Sequence, residues 1–216
     1  MTQDAAQDGT SFGDSTLQAY LEDLAAKVPA PGGGAVAALH AAQGAALVAM
    51  VARYTTRAKD ADNRPVVDRI IAAADTARER ALALADADAA AFTAVGAAYK
   101  LAKESEADKA SRAEAITAAL LEAARVPAAV VAAADEVVSL AAELLPIGNP
   151  NVVTDIGAAA DAARAAVASS QLNIAINVAS LDGVAGAEFA PVLKQIEEVI
   201  ARADALHNDV VEAITG

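Results

Sequence analysis

Along the stretch Ile70, Ala74, Ala77, Ala81, Leu84, Asp88, Ala91 and Val95, steps of four and three trace one stripe of a helix, and Asp88 is its single ionisable residue. A carboxylate in an apolar seam costs free energy unless it has a partner or a task. Burial against Phe92, one turn further on, is expected to lift its pKa toward the range where a carboxyl accepts and returns a proton. Asp86, two residues earlier, is rotated by about 200° and carries the same group on another face. The plainer alternative is that Asp88 marks where the seam runs out at a bundle surface.

A second polar stripe runs through Asp155, Ala159, Ala162, Ala166, Ser169, Asn173, Asn177 and Ser180. Asp155 and Asn173 are about five turns apart on nearly the same azimuth. The small residues between them leave room for another backbone or a flat ligand. The stripe also suits a polar seam that sets helix register or a dimer contact, and Thr154-Asp155 suits an N-cap pair. Asp155 is the second candidate for proton transfer. Basic residues are scarce, so Arg53, Arg57 and Lys59 stand out at one helix end. They suit either the carboxylates of an anionic ligand or the negative end of a helix dipole.

These groups need a scaffold, and its class follows from composition. Hydrophobic residues make up 56% of the 216 residues while aromatics are 3%, an excess carried by alanine. Alanine favours helix and buries little area, so an all-α bundle of about five or six helices, completed by oligomerisation, is expected. The net charge of −13 argues against a nucleic-acid binder. The absence of cysteine excludes disulfides, and two histidines, His40 and His207, argue against a zinc site. Residues 1–14 read as a disordered polar tail and 15–216 as one helical domain. No signal peptide is legible. The apolar stretch from Ala35 to Ala52 reads as a buried helix of a cytoplasmic protein, because His40, Gln43 and Gly44 interrupt it.

The expected helices are Thr16–Lys27 with Leu17, Leu21 and Leu24 inward, Ala35–Thr56, Val66–Ala102, Ala107–Leu145 with a kink at Pro127, Val153–Leu181 and Phe189–Ile214. Two turn clusters interrupt them, Pro29–Gly34 and Pro146–Thr154. Gly32, Gly33 and Gly34 permit positive φ and close backbone approach, and the helix that follows offers free N–H groups.

Four motifs in order resemble the cyclodeaminase/cyclohydrolase family of folate enzymes. They are Pro29-Ala-Pro-Gly-Gly-Gly34, Ala85-Asp-Ala-Asp-Ala-Ala-Ala-Phe92, Gly148-Asn-Pro-Asn-Val-Val-Thr-Asp155 with Thr154 where serine is usual, and Leu172-Asn-Ile-Ala-Ile-Asn177. The resemblance spans about residues 15–214. It implies an all-α homodimer or dimer-based oligomer with a tetrahydrofolate site in a cleft near the subunit contact. Asp88 and Asp155 are then the catalytic candidates. Gly32, Gly33, Gly34, Arg57, Lys59, Phe92, Asn149, Asn151, Asn173 and Asn177 are the substrate-binding candidates, with Arg57 and Lys59 on the glutamate tail. No metal, no cofactor beyond the tetrahydrofolate substrate, and no nucleic-acid or membrane partner is implied.

The implied reactions move a one-carbon unit between N5 and N10 of tetrahydrofolate. One is hydrolysis of the methenyl bridge, the other ring closure of the formimino derivative with loss of ammonia. The 216 residues leave no room for a formiminotransferase half, which favours the hydrolase. A non-catalytic helical dimerisation module is the remaining alternative. It does not require Asp88, Asp155, Asn173 and Asn177 in the seams.

Overall fold

A computed structural model describes residues 11–181 and 183–216, without the side chains of residues 58–60, 183 and 184. Lys59, the tail of residues 1–10 and the break at Asp182 therefore lie outside the described residues or side chains. The chain is all-helical: α1 (Leu17–Ala25), α2 (Gly33–Arg53), α3 (Arg64–Tyr99), α4 (Glu106–Leu144), α5 (Val153–Val178), the single turn α6 (Gly183–Gly186) and α7 (Ala190–Thr215), with short 3-10 turns between them. Local signals set the boundaries. Thr16 caps α1 by accepting from the Ala19 N–H at 3.1 Å. Pro65 sits in the first turn of α3. Ser105 and Asp108 form a reciprocal capping box at α4. Pro127 is buried and does not break α4.

The core is built around α2. Its alanines 35, 37, 38, 41, 45 and 52 are fully buried, with Val48 and Val51 among them. α3, α4 and α5 pack around it, and α7 packs on α5 and α4. Each alanine contributes little more than a methyl group, roughly 0.8 kcal/mol of burial, so stability comes from many close backbone approaches. Gly44 shows the limit: a Cβ there would lie 3.1 Å from the Ala159 carbonyl oxygen and 3.1 Å from Val137 Cγ1. By length and composition α2, α3 and α4 are long and apolar enough to cross a membrane. The most apolar window of α2 is 61% buried inside the protein.

Cross-helix pairs fix direction and register. Gly34 meets Asp88 while Arg53 meets Asp75, so α2 and α3 run antiparallel. Gly33 meets Asn173 while Gly44 meets Ala159, so α5 is antiparallel to α2. Arg69–Glu143 and Arg80–Glu136 tie α3 to α4, and Arg164–Asp204 ties α5 to α7. These exposed pairs are each worth at most about 1 kcal/mol and act mainly as register marks. The result is an up-down-up-down-up bundle with two distinct ends, about 30 Å apart along the 21 residues of α2.

Two expectations change at the N-terminus. Ser11–Asp14, placed by the sequence in a disordered tail, form a capped turn against α3. On α1 the expected inward leucines do not form the buried face. Leu17 is 72% and Leu21 51% exposed, and Tyr20 is the buried residue instead.

Candidate active site

The start of α2 and the middle of α3 meet at Asp88. A Cβ on residue 34 would stand 1.9 Å from Asp88 Oδ1, so only glycine lets the carboxyl lie against the helix backbone. No glycine among the described residues has positive φ, and Gly32 is extended. Space, not the left-handed conformation, is what this loop requires of glycine at residue 34. The Ala35 N–H, one of the orphan donors of the first turn of α2, donates to the Asp88 carboxylate. Burial outweighs that bond and holds the pKa of Asp88 above the ordinary carboxylate range. The expected cover, Phe92, does not supply the burial, since it is 56% exposed. The glycine turn of α2 lies against the carboxyl instead.

The N-terminal segment is held by Asp86. Ser11 Oγ donates to Asp86 Oδ2 at 2.6 Å and the Phe12 N–H donates to Asp86 Oδ1 at 2.8 Å. Phe12 packs edge-on against Tyr20 with ring centroids 5.6 Å apart. Tyr20 is 6% exposed and its hydroxyl is buried, bonded to no protein group. Burial, and next the charge of Asp88, push its phenol pKa up. From α5, Asn173 reaches the glycine turn: a Cβ on Gly33 would lie 3.9 Å from its Nδ2, which donates to the Ser169 carbonyl at 2.8 Å. Asn177 Nδ2 donates to the carbonyls of Ala123 at 2.9 Å and Asn173 at 2.8 Å, tying α5 to α4 behind this site.

The remaining candidates gather at the other end of α2. Asn149 accepts from the Asn151 N–H at 3.1 Å, donates through Nδ2 to the Tyr54 carbonyl at 2.9 Å, and donates its own N–H to Thr55 Oγ1 at 3.1 Å. Arg57 Nη2 donates to the Gly148 carbonyl at 2.9 Å. Asp155 lies half-buried in the first turn of α5, where its charge suits the helix dipole. The helix opens from Val152 without a side-chain cap, so the expected Thr154-Asp155 cap is absent. A cleft of about 610 Å³ runs beside this turn, lined by Arg57, Leu145, Pro146, Asn149, Val153 and Ile214 among others. A second, of about 470 Å³, lies between α5 and α7, where Asp161, Arg164, Asp204 and His207 pair among themselves.

The structure thus brings together Gly33, Gly34, Asp88 and Asn173, with Gly32 and Asn177 adjacent. It sets Arg57, Asn149, Asn151 and Asp155 about 30 Å away in the same chain. Tyr20 and Ala35 were not among the sequence candidates, and Asp86 was weighed there only as the counterpart of Asp88 on another face. Three tyrosines and three phenylalanines in 216 residues make any aromatic a signal, and Tyr20 is the one that carried it. Among the described residues no group of three or more His, Asp and Glu is placed to hold a metal ion.

Comparison with known proteins gives a consistent picture. Residues 16–190 match the family described as formiminotransferase-cyclodeaminase. The chain is 37% identical over 207 residues to a methenyltetrahydrofolate cyclohydrolase of Methylorubrum extorquens, covering 94% of this chain and 97% of that protein. It is 33% identical over 166 residues to the formimidoyltransferase-cyclodeaminase of Rattus norvegicus, covering 76% of this chain but 31% of that protein. Among solved structures, a formiminotetrahydrofolate cyclodeaminase from Thermotoga maritima superposes with a TM-score of 0.80 at 29% identity, over 93% of this chain and 96% of that one.

Proposed function

The chain belongs to the formiminotransferase-cyclodeaminase family, and on that premise we propose that it is a folate one-carbon enzyme hydrolysing 5,10-methenyltetrahydrofolate to 10-formyltetrahydrofolate. The observation that carries the chemistry is the half-buried Asp88 carboxyl against Gly34 and the Ala35 N–H. The match along nearly the full length of the Methylorubrum cyclohydrolase supports hydrolysis over deamination.

The methenyl carbon bears positive charge shared with N5 and N10. Water adds to it, and the Asp88 carboxylate takes the proton that the attacking water loses. The product of that step is a neutral carbinol bridging the two nitrogens. The bond from N5 to the carbon then breaks, N5 receives a proton from the Asp88 carboxyl, and the carbinol hydroxyl gives up its proton as the formyl C=O forms. One proton is released to solvent overall. A carboxyl whose pKa lies above the usual range can serve in both directions. To Asn173, beside the glycine turn, we assign a hydrogen bond to the folate ring.

Ring closure of formiminotetrahydrofolate is the second reading, favoured by the likeness to the Thermotoga cyclodeaminase. There N10 attacks the formimino carbon, and the same carboxyl protonates the departing ammonia. One assay separates them. Purified protein given methenyltetrahydrofolate should bleach the methenyl absorbance above the uncatalysed rate. Growth of that absorbance from the formimino substrate, without bleaching of the methenyl one, would assign the deaminase. Neither change would leave the dimerisation module.

The proposal includes a homodimer or dimer-based oligomer in the cytoplasm. Phe92, Leu172 and Ile176 are 56%, 72% and 66% exposed. The two groups of candidate residues are separated by the length of α2, more than a monoglutamyl folate reaches, so a second subunit is needed to bring both to one substrate. Light scattering that shows a monomer at micromolar concentration would remove this part.

A further inference from the structure

We propose that Asp86 is the latch of a cover over the site: through Ser11 and Phe12 it holds the Ser11–Ala25 segment so that Tyr20 shields Asp88 from water, which makes Asp86 and Tyr20 positioning residues for proton transfer. The mechanistic part of this rests on the folate reading above; the latch itself does not.

The latch is legible in the way α1 is attached. Tyr20 is the only buried residue of α1, and Leu17 and Leu21 point outward. A helix of nine residues with one buried side chain has little packing of its own to keep it in place. What fixes it is upstream. Asp86 accepts from both the Ser11 hydroxyl and the Phe12 N–H, which pins the turn Phe12–Asp14 to α3. Bonds to a carboxylate are shorter and stronger than neutral ones, and two on one group define orientation as well as distance. Phe12 then carries the placement to Tyr20 through the edge-on ring contact.

The two aspartates of one helical turn thus take different tasks. Asp86 faces the N-terminal segment, and Asp88 faces the start of α2. The groups that face Asp88 are few. From α1 the Tyr20 phenol lies near enough for the Asp88 charge to raise its pKa, and from α2 the Gly34–Ala35 backbone lies against the carboxyl. From α5 the uncharged Asn173 reaches the neighbouring Gly33, and on α4 Arg125 is engaged with Glu122 and Glu188. Among the described residues no positive side chain offsets the burial of Asp88. The proton affinity of Asp88 therefore depends on how dry the cover keeps it. Because the Tyr20 hydroxyl bonds no protein group, the ring is what covers, and phenylalanine should serve as well.

The test reads Asp88 directly, without substrate. Carboxyl carbon NMR of aspartate-labelled protein follows its titration in wild type, Asp86→Ala, Tyr20→Ala and Tyr20→Phe, with circular dichroism confirming helix content. Wild type and Tyr20→Phe should titrate above the ordinary value of 3.8. Asp86→Ala and Tyr20→Ala should fall back toward it, and amide exchange over residues 11–25 should quicken in Asp86→Ala. The acidic limb of kcat/KM for methenyltetrahydrofolate should move down in pH by the same interval. Tyr20→Ala changes a helix outside the bundle and carries the test if Asp86→Ala does not fold. Folded variants in which Asp88 titrates as in wild type, or in which exchange over residues 11–25 is unchanged, would overturn the latch. If the titration shifts while neither folate is turned over, the latch stands and the folate reading falls.

Discussion

The carboxyl of Asp88 fills the space where any side chain at position 34 would begin: Cγ lies 2.3 Å and Oδ2 2.6 Å from an ideal Cβ on Gly34. Two residues 54 positions apart thus share one volume, and the folded backbone can accommodate only one side chain in it. The consequences fall on chemistry more than on folding, because a short carboxyl can swing aside while helix backbones cannot.

Gly34→Ala should therefore cut turnover by about 10² or more, with a stability loss of about 1–3 kcal/mol from the overpacked contact. Gly96→Ala is the matched control. Nothing lies within 4 Å of a Cβ there, and alanine should stabilise α3 by about 0.5–1 kcal/mol. Urea denaturation and the methenyl assay on both variants check this. Full activity in a folded Gly34→Ala protein would show that Asp88 does not need its place on α2.

Asp88→Asn keeps shape and an acceptor for the Ala35 N–H but removes the proton, so kcat should fall by about 10² or more with helix content unchanged. Asp86→Asn keeps one acceptor for the Phe12 N–H and should cost about tenfold or less. Steady-state kinetics on the pair decides the order. A dead Asp86→Asn beside an active Asp88→Asn would exchange the two roles.

Stability should depend on pH through the same group. The folded pKa of Asp88 is raised, so the native state holds its proton more tightly than the unfolded chain does. Its contribution is favourable below the unfolded value of 3.8 and is lost as pH climbs through the raised folded value. Asp88→Asn abolishes that loss. Urea midpoints at about pH 4 and about pH 7.5 should show the variant gaining on wild type at the higher pH. Parallel pH profiles for the two proteins would contradict this.

Replacing Arg57 and Lys59 together by Gln should raise KM by about tenfold for a polyglutamylated substrate while changing kcat less, as expected for a contact remote from the reacting carbon. Arg57 also holds the Gly148 carbonyl, so a modest loss of stability should accompany it. An unchanged KM would leave Arg57 a turn-fixing residue alone.

Helix positions were legible because each depends on neighbours in sequence: α3, α4 and α5 begin within two residues of where capping residues, proline and periodicity place them. What the sequence could not supply is which distant groups meet. The Leu17, Leu21 and Leu24 face of α1 is a sound local pattern, but the chain buries Tyr20 because Phe12 and Asp86 set the approach of that helix. Phe92 lies one turn from Asp88, yet side-chain direction along α3 leaves it 56% exposed. The N-terminal residues read as a tail because polar composition carries no trace of a partner 75 positions away. The separation of the candidates into two ends was implicit in helix lengths, since 21 residues of α2 stand between the glycine turn and Arg57.

Gly44 has a bearing on both ends that its place in the middle of α2 does not advertise. It lets α2 settle directly on the Ala159 carbonyl, and the alanines on either side of it do little to mark position in its stead. It behaves as a locating pin on a gauge rod. A slip of one residue would carry the rod about 1.5 Å along and about 100° around its axis. Such a slip would take Gly34 out of line with Asp88 at one tip and Tyr54 out of line with Asn149 at the other in a single movement. Alignment at the two tips is therefore one quantity, adjusted at a residue that touches neither.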